Sequence, residues 1–238
     1  MSGAIQNLLL AGLPIRERNA VLRHCEAVQL QFGCLLCEVN QPMHYLYFPL
    51  TASISQVITL RGHKPLELGL IGNEGMLGVT LILGIETAPS RAVVQGAGSA
   101  LRISIEALHE ELLARPRLMR RLKCYLYVLQ VQLSQNVACG HFHALEPRLA
   151  RLLLMTHDRA HTDHFHLTHQ YLANMLGVRR SGVTIAAGAL QLRGLIHYCR
   201  GEIGIIDRAR LEAAACECYA EMQDEYSRQF SLPLRDLA

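Results

Sequence analysis

Thr168-His-Gln-Tyr-Leu-Ala-Asn-Met-Leu-Gly-Val-Arg-Arg-Ser-Gly-Val-Thr-Ile-Ala-Ala187 is the stretch on which the reading of this chain turns. It has the pattern of a helix-turn-helix. Ala173 is small enough for two helices to cross closely, and Gly177 can take the positive φ that the turn needs. Leu172, Leu176, Val178 and Val183 supply a shared apolar seam. The start of the second helix then presents Arg179, Arg180, Ser181 and Thr184, side chains that reach phosphates and guanine edges in a major groove. A helical hairpin with a glycine turn is also a common core element, so the residues that follow carry weight.

They read Leu195-Ile-His-Tyr-Cys199, Arg200-Gly201 and Glu202-Ile-Gly-Ile-Ile-Asp207: two short apolar strands around a two-residue turn. That is a β-hairpin wing. A helix-turn-helix followed directly by a wing is far more specific than either part, and it points to double-stranded DNA as a partner.

Charge agrees in its distribution. The whole chain is only +3, but residues 144–210 hold nine Arg, no Lys and five acidic residues, whereas 211–238 hold two Arg against six acids. The cations of the module are thus all Arg, the residue suited to bidentate phosphate and guanine contacts. Arg148, Arg151 and Arg159 read equally well as a solvated charged face and are not counted as DNA contacts.

At 238 residues with half its residues apolar, the chain is long enough for two cores. No uninterrupted apolar run of spanning length occurs, and the first residues lack the basic start of a secretion signal, so no membrane partner and a cytoplasmic location are expected. Eight scattered cysteines are then expected to be reduced.

Upstream, residues 28–39, 44–60 and 91–103 are short apolar or alternating runs separated by Gly, Asn and Pro, as in a β-sandwich or barrel. A helical pattern over 4–24 precedes them. From Ile105 the period becomes helical, and Pro116 is placed to start a new helix. There Leu118, Leu122, Tyr125, Leu129 and Gln132, with Leu126 and Leu133 beside them, form a stripe two to three heptads long. Such a stripe serves either a helix packed on its own β-domain or a dimer seam. DNA-binding modules of this size commonly work in pairs on palindromic sites, which favours the seam and a homodimer.

This order of parts resembles the Crp/Fnr family of bacterial transcription regulators over nearly the whole chain. Tyr45-Leu-Tyr-Phe-Pro-Leu-Thr-Ala-Ser-Ile54 is similar to the family's β-roll strand and turn, and Gly69-Leu-Ile-Gly-Asn-Glu-Gly-Met-Leu-Gly78 to the strand leading into its effector pocket. Glu146-Pro-Arg-Leu-Ala-Arg-Leu-Leu-Leu154 resembles the joining helix, and Leu167–Ile196 the recognition unit. The resemblance implies an α+β fold: a cyclic-nucleotide-binding-like β-roll sensor with an N-terminal helix at 1–115, a dimerisation helix at 116–138 bearing Leu118, Leu122, Tyr125, Leu129 and Leu133, and a winged helix-turn-helix with a C-terminal helix at 139–238. It also implies a non-enzymatic regulator that binds palindromic operators, senses a signal in the β-roll, and has RNA polymerase as a further partner. Arg180 resembles the family's guanine-reading Arg, flanked by Arg179, Ser181 and Thr184. Ser181 stands where many members carry a Glu that reads cytosine, so a different half-site is expected. Thr168, His169 and Gln170 look like phosphate contacts, Thr168 also serving as an N-cap.

By the same resemblance, an effector would sit near Asn73, Glu74, Gly75, Gly78, Ser90 and Arg91. Members that bind a cyclic nucleotide have Gly-Glu-Leu where this chain reads Gly78-Val79-Thr80. Arg91 stands where the phosphate Arg belongs, but the ribose carboxylate is missing. Its loss removes a charge-assisted hydrogen bond of roughly 1.5–3 kcal/mol, which argues against cyclic AMP. Members with an iron–sulfur cluster carry compact cysteines; here Cys25, Cys34, Cys37, Cys124 and Cys139 are the candidates. Cys34 and Cys37, three apart on an expected strand, would point to opposite faces, which argues against a cluster that needs four convergent thiolates. Cys216-Glu-Cys218 reads as structural. His157, His161, His164, His166 and His169 crowd the approach to the DNA module, and imidazoles suit zinc, iron and copper. No metal ligand is assigned, haem ligation stays open, and the effector is unidentified.

Two alternatives remain from the residues: a redox- or metal-responsive Cys/His regulator of the same architecture, and a ligand-binding module without DNA. The second would have no use for 167–207. An enzyme would need a nucleophile motif, a phosphate-binding glycine loop or paired acids at useful spacing, and none is recognisable. The helical, partly acidic tail from Leu211 to Ala238 is expected either to cap the winged domain or to reach the β-roll.

Overall fold

A computed structural model describes residues 7–160 and 162–230. The helical lead-in is two pieces, α1 (Leu8–Ala11) and α2 (Ile15–Arg23), because Gly12 ends the first and Pro14, which has no N–H to give, precedes the second. Strands β1 (Glu26–Leu30), β2 (Leu35–Cys37), β3 (Tyr45–Pro49), β4 (Ser53–Ile58), β5 (Leu66–Ile71), β6 (Arg91–Gly96) and β7 (Gly98–Ser104) follow, with a 3₁₀ turn at Val79–Leu83. They form two sheets, ordered β1-β7-β3 and β2-β6-β4-β5. In β3, Leu46 and Phe48 are fully buried while Tyr45 is exposed, the two-residue alternation of a half-buried strand.

Helices α3 (Ile105–Ala114) and α4 (Pro116–Phe142) come next. Ser104 caps α3 by accepting the Ala107 N–H at 3.2 Å, and Pro116 opens α4, where its missing N–H is no loss. Then come α5 (Leu145–Ala160), β8 (His164–His166), α6 (His169–Leu176), α7 (Arg180–Leu192), β9 (Ile196–Cys199), β10 (Glu202–Ile205), α8 (Arg208–Ala214) and α9 (Cys218–Phe230). The mixed α+β architecture expected from the sequence is present, with a third wing strand added. β8 pairs antiparallel with β10, so the wing sheet runs β8-β10-β9. No described helix is long and apolar enough to cross a membrane.

Two compact units divide the chain: Met1–Gln56 with Leu70–Gln130, and Val57–Gly69 with Val131–Ala238. In the first, Phe48, Ile54, Ile71, Met76, Ile103 and Leu108 lie in the core. Leu118, Leu122 and Tyr125 of α4 join them at 0%, 0% and 2% exposure. This corrects the expected dimer stripe: these three side chains are already buried within their own chain and cannot also face a partner. Leu129 is half-buried. Leu133 and Val137, at 45% and 75% exposure, are among the apolar residues of α4 left open, together with Tyr127 and Phe142.

Gly75 is held where only a glycine fits. A Cβ there would stand 2.1 Å from the Tyr125 hydroxyl oxygen. Its carbonyl accepts from the Asn7 amide at 2.7 Å, and Asn7 also donates to the Pro49 carbonyl.

Candidate nucleic-acid interface and a cysteine–histidine cluster

In the second unit, Leu149, Leu153, Leu172, Ala173, Val183, Ala187, Leu190, Leu195, Ile203 and Leu211 form one core, with Leu176 and Val178 packed at its edge. Each fully buried leucine contributes roughly 1.5–3 kcal/mol to holding the helices together. The turn between α6 and α7 is set by Gly177 at φ 67°, ψ 34°, whose N–H returns to the Ala173 and Asn174 carbonyls. At the wing tip, Arg200 (φ 51°) and Gly201 (φ 92°) both take positive φ, the geometry of a tight hairpin turn between paired Cys199 and Glu202.

This scaffold puts the sequence-predicted DNA contacts at the starts of α6 and α7. Thr168 is the N-cap of α6 and accepts the Tyr171 N–H at 3.1 Å. Gln170 is exposed and donates to the Asn174 amide oxygen. Arg179 and Arg180 begin α7 with no side chain capping its first turn, and both are exposed, as are Ser181 and Thr184. Unsatisfied N–H groups and flanking guanidinium groups at a helix start suit an incoming phosphate. His169 is differently placed. It is half-buried, its ring stacks on Tyr198, and Nδ1 lies 3.0 Å from Thr184 Oγ1. Since Thr184 donates its own proton to the Arg180 carbonyl, His169 Nδ1–H is the donor of that pair. Burial first, and then the Arg180 charge, hold the His169 pKa below its ordinary value.

Among the described residues, the histidines near the module do not converge. His157 Nε2 pairs with Asp163 at 2.7 Å and His166 Nδ1 with Glu202 at 2.8 Å, while His164 is exposed and His161 lies outside the described residues. His157 also touches Arg208, which donates to Asp158 at 2.6 Å and to Tyr219 at 2.7 Å. This network ties α8 and α9 to α5.

In the β-roll, Asn73, Glu74 and Ser90 are buried, and a Glu74 oxygen accepts the Gly72 N–H at 3.1 Å. Gly78 sits at φ 95° with no room for a Cβ against Leu46. Val79 is buried in the 3₁₀ turn, an apolar filler at the position where the resemblance would have placed the ribose carboxylate. Arg91 is half-exposed and its Nε lies 3.6 Å from Glu38, a surface pair.

Sequence reasoning missed one constellation. Among the described residues, Cys139, His143, Cys216 and Cys218 bring three sulfurs and an imidazole nitrogen within 4.8 Å of one another. Cys34 is exposed and Cys25, Cys37 and Cys124 are half-buried, outside this group. Cys139 lies in the last turn of α4 and His143 one residue past its end, its N–H still bonding the Cys139 carbonyl at 3.2 Å; Cys216 and Cys218 flank Glu217 at the start of α9. The one available signal was the pairing of a C-x₃-H with a distant C-x-C. A hydrogen bond from Cys216, followed by contacts to His143 and the charge of Arg151, lowers the Cys139 pKa well below the usual thiol range. The hydrogen bond to Cys139 and burial raise that of Cys216.

Residues 147–214 match the Crp-like helix-turn-helix domain. The chain is also similar in fold to a Crp/Fnr-family transcriptional regulator from Eubacterium rectale, at 17% identity over 87% of this chain and 96% of that one, TM-score 0.66. FixK2 from Bradyrhizobium japonicum gives 14% identity over 81% and 98%, TM-score 0.67. The c-di-GMP-responsive global regulator CLP of Xanthomonas campestris gives 17% over 81% and 99%, TM-score 0.66. No curated protein matches the sequence. The chain carries a Crp-like helix-turn-helix domain and has the β-roll plus winged-helix architecture of the Crp/Fnr regulators.

Proposed function

We propose that the protein is a DNA-binding transcription regulator that acts as a homodimer on palindromic operators under control of a signal sensed in the β-roll. The observation that carries this reading is that Arg179, Arg180, Ser181 and Thr184 at the start of α7, and Thr168 and Gln170 at the start of α6, are all exposed on a helix-turn-helix. Residues 1–115 are the sensor, 116–138 the dimerisation helix and 139–238 the reader. Arg180 reads guanine, Arg179 and Thr168 hold phosphates, and two copies of α7 fit successive major grooves when about 34–36 Å apart. The buried Val79 and surface-paired Arg91 favour an effector other than cyclic AMP.

The test is selection of bound duplexes from a random library, followed by titration of the winner across salt concentrations. Two-fold symmetric half-sites and affinity that falls steeply with salt are expected. Failure to enrich any duplex, with salt-independent retention, would overturn the reading.

A further inference from the structure

We propose that Cys139, His143, Cys216 and Cys218 form a closed, four-ligand site for one zinc ion per chain. All four belong to the same compact unit. Tetrahedral zinc with Zn–S of about 2.3 Å and Zn–N of about 2.0–2.1 Å requires S–S edges of about 3.8 Å and S–N edges of about 3.5 Å. Cys139 Sγ lies 3.6 Å from Cys216 Sγ, and Cys218 Sγ lies 3.4 Å from His143 Nδ1. No separation within the group exceeds 4.8 Å, and even that distance closes to a tetrahedral edge with about 1 Å of side-chain movement. One ion fits this spacing. A [4Fe–4S] cube, which places each ligand on a different iron, requires a wider ligand cage.

The surroundings are those of a metal site. Cys139, Cys216 and Cys218 are buried at 2%, 6% and 1% exposure. His143 turns Nδ1 toward the sulfurs, while its Nε2 meets the Glu217 carboxylate at 3.0 Å, the carboxylate–histidine arrangement that fixes the ligating tautomer. The Gln135 amide donates to Cys218 Sγ at 3.1 Å. Arg151, buried and held by Asn136 at 2.6 Å, places a cation near a Cys₃His–zinc group whose net charge is −1. Thiolates and imidazole select zinc over hard cations, and four protein ligands leave no open coordination position. The ion therefore clamps rather than catalyses: it ties the end of α4 to the α8–α9 junction.

The experiment uses full-length protein purified with reduced thiols, measured for metal by elemental analysis and titrated with Co²⁺ after chelation. One zinc per chain and the intense visible bands of tetrahedral thiolate-bound Co²⁺ are expected. Cys216→Ser and Cys218→Ser abolish both, His143→Cys keeps a four-ligand site with shifted bands, and Cys34→Ser leaves them unchanged. Glu217→Gln lowers zinc affinity by roughly 10–100-fold. The His143→Cys arm keeps the proposal testable if a serine variant fails to fold. A metal-free protein whose chelated form takes up no Co²⁺, a Cys139–Cys216 disulfide in freshly isolated protein, or unchanged metal content in folded Cys216→Ser would each overturn the site.

Discussion

The His169 ring lies flat on the Tyr198 ring, with centroids 4.1 Å apart and planes 17° from parallel. His169 Nδ1 meets Thr184 at the same time, so α6, α7 and the wing strand β9 are joined at one point, beside the start of the proposed recognition helix.

That junction makes a pH prediction. The His169 pKa is depressed by burial and by Arg180, with Thr184 and Tyr198 its other neighbours. A depressed histidine favours folding in its neutral form, a contribution present above the unfolded pKa and lost as pH falls through the folded one. Phosphate nearby acts oppositely and favours the protonated ring. DNA affinity should therefore rise as pH falls through the mid-acidic range, with part of the rise absent in His169→Gln, as measured by fluorescence anisotropy at constant salt. Identical pH profiles would remove His169 from the interface.

Arg180→Ala should lower affinity for the selected operator by about 1–3 kcal/mol and relax preference at one base pair. Arg179→Ala should weaken all duplexes alike and reduce the salt slope by about one. Competition binding against single-base variants of the operator separates the two.

Gly177→Ala forces a Cβ into left-handed backbone, since φ is 67°. The cost is about 1–2 kcal/mol, read as a lower midpoint in denaturant with unchanged slope.

Asp158 accepts from Arg208, Tyr219 and Gln223 in a nearly dry setting. Asp158→Ala leaves the Arg208 guanidinium with Glu212 as its remaining carboxylate and should destabilise by about 3 kcal/mol, whereas Tyr219→Phe should cost about 1 kcal/mol. Equilibrium unfolding of the two variants checks the order.

Leu133→Glu and Val137→Glu should shift the protein toward monomer in sedimentation analysis, because both side chains are exposed on α4. Leu118→Ala should instead lower stability by about 2–5 kcal/mol and leave the oligomeric state alone. If Leu133→Glu with Val137→Glu stays fully dimeric, the seam lies elsewhere.

Local signals were legible where one residue type answers one backbone demand. Gly177 at the helix turn and Arg200-Gly201 at the wing announce their geometry within a few residues, and the apolar seam around Leu172 and Val183 follows from helical period. The stripe on α4 was legible as a helix but not as to its partner, because a heptad records which residues share a face and not what covers it. Leu118, Leu122 and Tyr125 went to the chain's own core. Strand β8 escaped notice because three residues are too few to show alternation. The cysteine–histidine group was hidden for another reason: Cys139 and Cys216 are 77 residues apart, and only tertiary packing makes them neighbours.

Gly75 and Tyr125 interlock so tightly that Gly75 cannot change while Tyr125 stays. Any side chain at 75 needs the phenol at 125 gone, and a smaller residue at 125 leaves a void over 75. In a lineage of this protein the two positions should drift as a pair, with glycine kept wherever the tyrosine is kept and lost only after it. The loop between β5 and the 3₁₀ turn is thus under a heritable constraint that comes from a helix some fifty residues downstream.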